Sequence, residues 1–211
     1  DELTAVFEEE FQSECGGTIT AEEAISVGDT DFSGTLGNIA ADSPEFLYFP
    51  IFVAEGALMT QQEKDTAGLE DTILGGADGY FSADWLAAAG ADAEGHYLSG
   101  PDLAFSGDFY ESEFLPAYMD FSGEDQTISV FHAHAFDAYN LIAEAVEAVA
   151  FEDGGTTYIP RSALRDAFMG TSEYAGLTGS LTCDEFGDCA DAKISVSEVV
   201  DGAFERIWAE N

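Results

Sequence analysis

The chain has 211 residues, 46% of them apolar and 13% aromatic, which is enough for packed cores in one or two domains and excludes a disordered acidic tail. Its 43 acidic residues face only 5 basic ones, Lys64, Arg161, Arg165, Lys193 and Arg206, for a formal charge of −38 at pH 7. Nucleic acid and anionic membrane surfaces are therefore poor partners, because so few cations cannot replace their counterions.

The first residues carry Leu3, Val6, Phe7 and Phe11 at helical spacing, and Gly16 with Gly17 ends the pattern. Residues 18–25 alternate as a strand does. The run GDTDFS at 28–33 supplies turn and N-cap chemistry for a helix through Leu36, Ile39 and Ala40, closed by Ser43 and Pro44. Residues 46–52 are a continuous apolar run of the kind a buried parallel strand shows, and 54–64 read as a helix.

Thr72, Ile73 and Leu74 then form a strand. It breaks at Gly75, Gly76 and Gly79, and Ser82 or Asp84 caps a helix carrying Trp85 and Leu86. A further short strand is expected at 95–99. Four strands alternating with helices are the signature of a doubly wound parallel sheet. The rhythm breaks at 100–107. Helices are expected over 108–121, 129–150 and 160–168, and strands return between 177 and 208, with turns at the cysteines and at Asp201 and Gly202.

The organising stretch is the strand, glycine turn and helix around 71–87. In open α/β sheets ligands bind beyond the carboxyl ends of the strands, and glycines there let backbone and solute approach closely. Asp78 sits in that turn. Its carboxylate either takes the ammonium group of a small zwitterion or satisfies turn amides. Phe52 and Tyr80 each follow a strand's carboxyl end, where a ring can wall an apolar pocket beside Asp78.

Cys183 and Cys189 flank a turn-like DEFGD, so a disulfide and an oxidising compartment are expected, with Cys15 left over. His132 and His134 open a helix, where residues two apart point about 200° from each other, so they do not share a metal. No metal or other cofactor is expected. No nucleophile elbow or phosphate loop is present, and no apolar run of about 20 residues predicts a membrane-spanning helix.

Five segments, GDTDFS (28–33), LGGADG (74–79), AEGHY (93–97), AFDAY (135–139) and LTGSLTCDEFGD (177–188), occur in the order found in a known family. The chain resembles the extracytoplasmic solute-binding proteins of branched-chain amino acid type, which serve ABC transporters and have the type I periplasmic-binding fold. The resemblance implies two doubly wound parallel-sheet lobes joined by a multi-strand hinge, closing around a small amino acid or amide for delivery to an ABC permease, with no catalysis. It implies that Asp78 receives the ligand's ammonium group and that Phe52 packs on its side chain.

It further implies a second lobe over 1–99 lacking its first strand, a hinge crossing at 100–107 and the closing part of an incomplete first lobe over 108–182. A second crossing with the disulfide hairpin follows at 183–192, and terminal strands over 193–211 return to the second lobe. The chain is thus expected to be a fragment whose remaining ligand site lies outside it. The protein it belongs to is expected in the periplasm or at the cell surface, held by a lipid anchor in one version. The rival readings are a ligand-sensing receptor module for amino acids, amides or urea-like compounds, and a hydrolase using carboxylates or His132.

Overall fold

A computed structural model describes residues 2–189 and 193–210, so residues 190–192 of the expected second crossing lie outside the described residues. The chain forms two compact units, Asp1–Pro101 with Ile194–Asn211, and Asp102–Lys193.

The first unit is a five-stranded mixed sheet in the order β1-β2-β3-β8-β9. Strands β1 (Phe46–Tyr48), β2 (Ile73–Gly76) and β3 (Tyr97–Pro101) are parallel, and a hairpin of β8 (Ile194–Val200) and β9 (Ala203–Ala209) joins β3 antiparallel. The hairpin turns on Asp201 (φ 52°) and Gly202 (φ 74°), the two positive-φ positions that a two-residue hairpin loop needs. Glu94 holds this turn by accepting from the Asp201 and Gly202 amides at 2.9 and 3.2 Å.

Helices α3 (Val53–Lys64) and α4 (Ala83–Ala89) contribute to the core, in which Leu74, Leu98 and Val199 are buried; burial alternates along β3 and β8, whereas Leu74, Gly75 and Gly76 of β2 are all buried. α4 begins where Ser82 Oγ accepts the Trp85 amide at 3.2 Å, so of the two caps offered by the sequence, Ser82 and Asp84, it is Ser82 that caps the helix. α3 in turn pins the approach to α2 (Ser33–Ala40). Glu55 accepts from the Gly28 amide at 2.7 Å, and Gln62 bonds both the Phe32 amide and the Thr30 carbonyl. α1 (Glu2–Ser13) stacks Phe7 on Tyr48 at 4.3 Å.

Two strand expectations are corrected. Residues 18–25 form no strand: Ile19, Ala21 and Ile25 are less exposed than their neighbours, yet no ladder partner lies beside them among the described residues. The run at 46–52 is a three-residue edge strand, with Phe46 37% exposed. Beyond Tyr48 the chain turns into α3, helped by Pro50, which has no N–H to continue a ladder.

The second unit contains α5 (Leu115–Ser122, entered through a π turn at Tyr110–Phe114), α6 (His132–Val149), α7 (Arg161–Met169) and two antiparallel ribbons, β4–β5 and β6–β7. β4 (Phe151–Asp153) and β5 (Thr156–Tyr158) pair across Gly154 and Gly155, a hairpin the expected helices left unread. No parallel sheet occurs in this unit among the described residues.

α6 meets the segment beyond β6 (Tyr174–Ala175) through Asp137, which is only 2% exposed and accepts from the Leu177 amide, the Thr178 amide and the Thr178 hydroxyl at 2.7–2.8 Å. Cys183 and Cys189 form the disulfide, and between them Asp184 folds the loop by accepting from the Phe186 and Asp188 amides. This loop is a turn following β7 (Ser180–Leu181) rather than a strand hairpin. Cys15 is a free, exposed thiol.

Candidate functional site

The site is built on the carboxyl ends of β1, β2 and β3. β2 ends in two glycines because rings fill the space a side chain would need. A Cβ on Gly75 would lie 2.4 Å from the Phe46 ring, and one on Gly76 would lie 1.8 Å from Tyr80 Oη. The glycines expected to admit a solute therefore admit aromatic rings at these two positions.

The chain then makes one 3-10 turn, Asp78–Tyr80, closed by the Phe81 amide on the Asp78 carbonyl at 3.1 Å. Gly79 is needed here for a different reason: a Cβ would lie 2.5 Å from the Ile51 carbonyl oxygen and 3.4 Å from the Phe52 ring. The turn is thus pressed against the start of α3, where Phe52 is the residue before the first helical turn.

Asp78 is exposed at the start of this turn, and its carboxylate accepts no hydrogen bond from the turn's amides among the described residues. Across it lies β3: a Cβ on Gly100 would be 3.6 Å from Asp78 Cβ, an ordinary contact, but 2.8 Å from the Phe81 ring, which is what requires glycine there. Tyr48, half-buried at the end of β1, has its phenol held above the ordinary value first by burial and then by the Asp78 charge. Phe52 is 69% exposed, so its ring faces solvent beside the turn. The structure accordingly brings Asp78 and Phe52 together, and adds Tyr48 and Gly100, which sequence reasoning did not single out.

Tyr80, expected as a second wall, is instead in the core. It is fully buried, stacks on Phe49 at 5.6 Å and bonds His96 Nε2 through its hydroxyl at 2.8 Å. A residue that closes a 3-10 turn can point either way, and here Gly76 and Gly56 offer it a socket. His96 is itself 1% exposed, and burial, with Lys64 nearby, lowers its pKa to about 3, so it is neutral.

In the second unit a cavity of about 490 Å³ is lined by Phe109, Tyr110, Phe136, Asp137, Asn140 and Tyr174 among others. Its buried carboxylate, Asp137, already serves Leu177 and Thr178. His132, weighed as a catalytic base, is buried, with Nδ1 on the Ser129 carbonyl and Nε2 on the Tyr110 hydroxyl at 2.9 and 2.7 Å. His134 packs edge-on against Phe105 and Phe131, and no group of three or more potential metal ligands forms among the described residues.

Residues 3–203 match the family described as periplasmic binding protein. The chain belongs to this family. Among curated proteins it is similar to a Leu/Ile/Val-binding protein homolog of Brucella melitensis, 23% identical over 85% of this chain and 46% of the relative. It is also similar to a leucine-, isoleucine-, valine-, threonine- and alanine-binding protein of Pseudomonas aeruginosa, 27% identical over 88% of this chain and 46% of the relative. The chain spans about half the length of these relatives.

Its fold is that of a leucine-binding protein from Thermotoga maritima, with a TM-score of 0.81 and 23% identity over 99% of this chain and 56% of that one. A solute-binding protein of Rhodopseudomonas palustris crystallised with benzoate gives a TM-score of 0.76 at 20% identity, covering 99% and 54%. The type I periplasmic-binding fold expected from the sequence is therefore the fold of the chain. No helix among the described residues is long and apolar enough to cross a membrane.

Proposed function

We propose that this chain is the ligand-capturing part of an extracytoplasmic solute-binding protein that takes up an aliphatic amino acid and hands it to an ABC permease, without catalysis. The observation that carries this reading is an exposed carboxylate, Asp78, with no hydrogen-bonded partner among the described residues, beside an exposed ring, Phe52, at the carboxyl ends of parallel strands. An unpaired anion suits the α-ammonium group, and the ring suits an apolar side chain. Each charge-assisted hydrogen bond to the ammonium is worth about 1.5–3 kcal/mol, and apolar burial adds about 25 cal/mol per Å². The curated relatives, named for binding leucine, isoleucine and valine, point the same way.

On this reading the unit made of Asp1–Pro101 and Ile194–Asn211 belongs to the second lobe and supplies the ammonium-binding wall. The unit Asp102–Lys193 belongs to the closing part of the first lobe.

Isothermal titration of the whole protein with L-leucine, L-isoleucine, L-valine and L-alanine tests the proposal. At least one should bind, and Asp78→Asn should weaken it roughly 10- to 100-fold, the value of one charge-assisted contact. Unchanged affinity in Asp78→Asn would remove the anchor and with it the amino-acid reading.

A further inference from the structure

We propose that the buried Tyr80–His96 hydrogen bond is the positioning element of the ligand anchor, fixing the Asp78–Tyr80 turn so that the Asp78 carboxylate stays aimed at the ligand. The inference rests on the amino-acid site proposed above and names residues that act behind it. Tyr80 and His96 do not touch the ligand.

The turn is attached to the core by two rings, each set in a glycine socket. Tyr80 lies over Gly76 and Gly56, and Phe81 lies over Gly100, where a Cβ would come within 2.8 Å of its ring. Phe81 in turn meets Phe204 edge-on at 4.4 Å. Ring packing alone holds the turn in place but leaves it free to rock, because apolar contact has no direction. Among the described residues, the one directional contact made by either ring is the 2.8 Å hydrogen bond between the Tyr80 hydroxyl and His96 Nε2. His96 cannot easily yield, since it lies between Phe49, Tyr80 and Trp85, with ring centroids at 4.9–5.6 Å.

The polarity of this contact asks for an explanation. A Phe–Leu pair would fill the same space without burying a hydroxyl and an imidazole. Here the imidazole is buried with its other nitrogen, Nδ1, lacking a hydrogen-bond partner among the described residues, a state that costs free energy. Such a cost is retained where a hydrogen bond specifies one geometry among several of similar packing. The geometry specified is that of the turn whose first residue is Asp78, two residues from the bonded ring.

The test is a double-mutant cycle on the whole protein, titrated with L-leucine while tryptophan fluorescence shows each variant to be folded. Tyr80→Phe keeps the ring and removes the hydroxyl. It should weaken L-leucine binding roughly 5-fold, the worth of one net hydrogen bond, while in the Asp78→Asn background it should change affinity less than about 2-fold. His96→Leu, which removes the imidazole partner, should reproduce the loss and its dependence on Asp78. A purely structural role would lower the melting temperature and leave the affinity of the folded variant, or its loss in both backgrounds, the same. Either result overturns the proposal. If the unsubstituted protein binds no L-leucine, or if Asp78→Asn binds as well as the unsubstituted protein, the site reading itself fails, an outcome distinct from an unaltered Tyr80→Phe.

Discussion

His96 should make the first unit sensitive to acid, and by a calculable amount. Its pKa in the fold is about 3, against an ordinary value of 6.5, with burial as the main cause and Lys64 second. Because the folded value lies below the unfolded one, the unfolded chain binds the extra proton throughout that window. Stability is undiminished above about pH 6.5 and is lost as pH falls toward 3. At 1.36 kcal/mol per unit, the fall from neutral pH to pH 4.5 costs on the order of 2–3 kcal/mol from this residue alone, a large share of a typical domain's about 5–15 kcal/mol. His132 and His134 are also depressed by burial and act in the same direction. Glu63, raised by burial, opposes them. Comparison with His96→Gln removes those common contributions. Both tryptophans, Trp85 and Trp208, lie in the first unit, so denaturant unfolding followed by tryptophan fluorescence at pH 7.5, 6.0 and 4.5 reads this unit directly. The stability advantage of the unsubstituted protein over His96→Gln should shrink by that amount between pH 7.5 and 4.5. An advantage constant within about 0.5 kcal/mol would show that His96 does not titrate below its ordinary value, and the account of its burial would be wrong.

Gly76→Ala and Gly79→Ala should separate stability from binding. The first forces Tyr80 out of its socket and should destabilise the unit by about 1–3 kcal/mol in the same unfolding assay. The second meets the Ile51 carbonyl and should displace the Asp78 turn, weakening L-leucine binding at least about 10-fold by calorimetry with a smaller loss of stability. In the second unit, Asp137→Ala leaves the Leu177 amide, the Thr178 amide and the Thr178 hydroxyl without their acceptor. It should cost about 3 kcal/mol, and hydrogen exchange should show the Leu177 and Thr178 amides losing protection. Unchanged exchange at those two amides would mean that Asp137 does not hold this segment.

The fold was legible wherever local chemistry and tertiary context agree. The Ser82 cap, the break after β2 and the Asp201–Gly202 turn each depend on residues within a few positions, and each forms as their chemistry dictates. Residues 18–25 failed for the opposite reason: alternation describes a face, while a strand also needs a neighbour to bond, and the pattern carries no information about neighbours. The run at 46–52 misled because an edge strand beside an aromatic helix can be as apolar as a central one; Phe7 of α1 covers part of what a flanking strand would. The Gly154–Gly155 hairpin was within reach, since two glycines between FED and TTY are a recognised two-residue loop.

The candidate site divides along the same line. Asp78 and Phe52 could be placed by position, because strand ends in an open α/β sheet gather in one place whatever the side chains do. The direction in which a ring leaves a turn is decided by which volume is empty. For Tyr80 that volume is created by Gly76 on one element and Gly56 on another, 20 residues apart in sequence. Gly75 and Gly76 were read as openings for a solute, and the structure fills both with rings. On the proposed reading, what would make Asp78 usable as an anchor is the set of groups that sequence could not assemble: the sockets, His96 behind them and Gly100 beside them. An exposed carboxylate in a chain with 43 acidic residues carries no information by its charge. On the proposed reading this one stands out because three strand ends, two plugged sockets and one buried hydrogen bond would hold its turn still, and rigidity before binding turns a surface charge into an affinity.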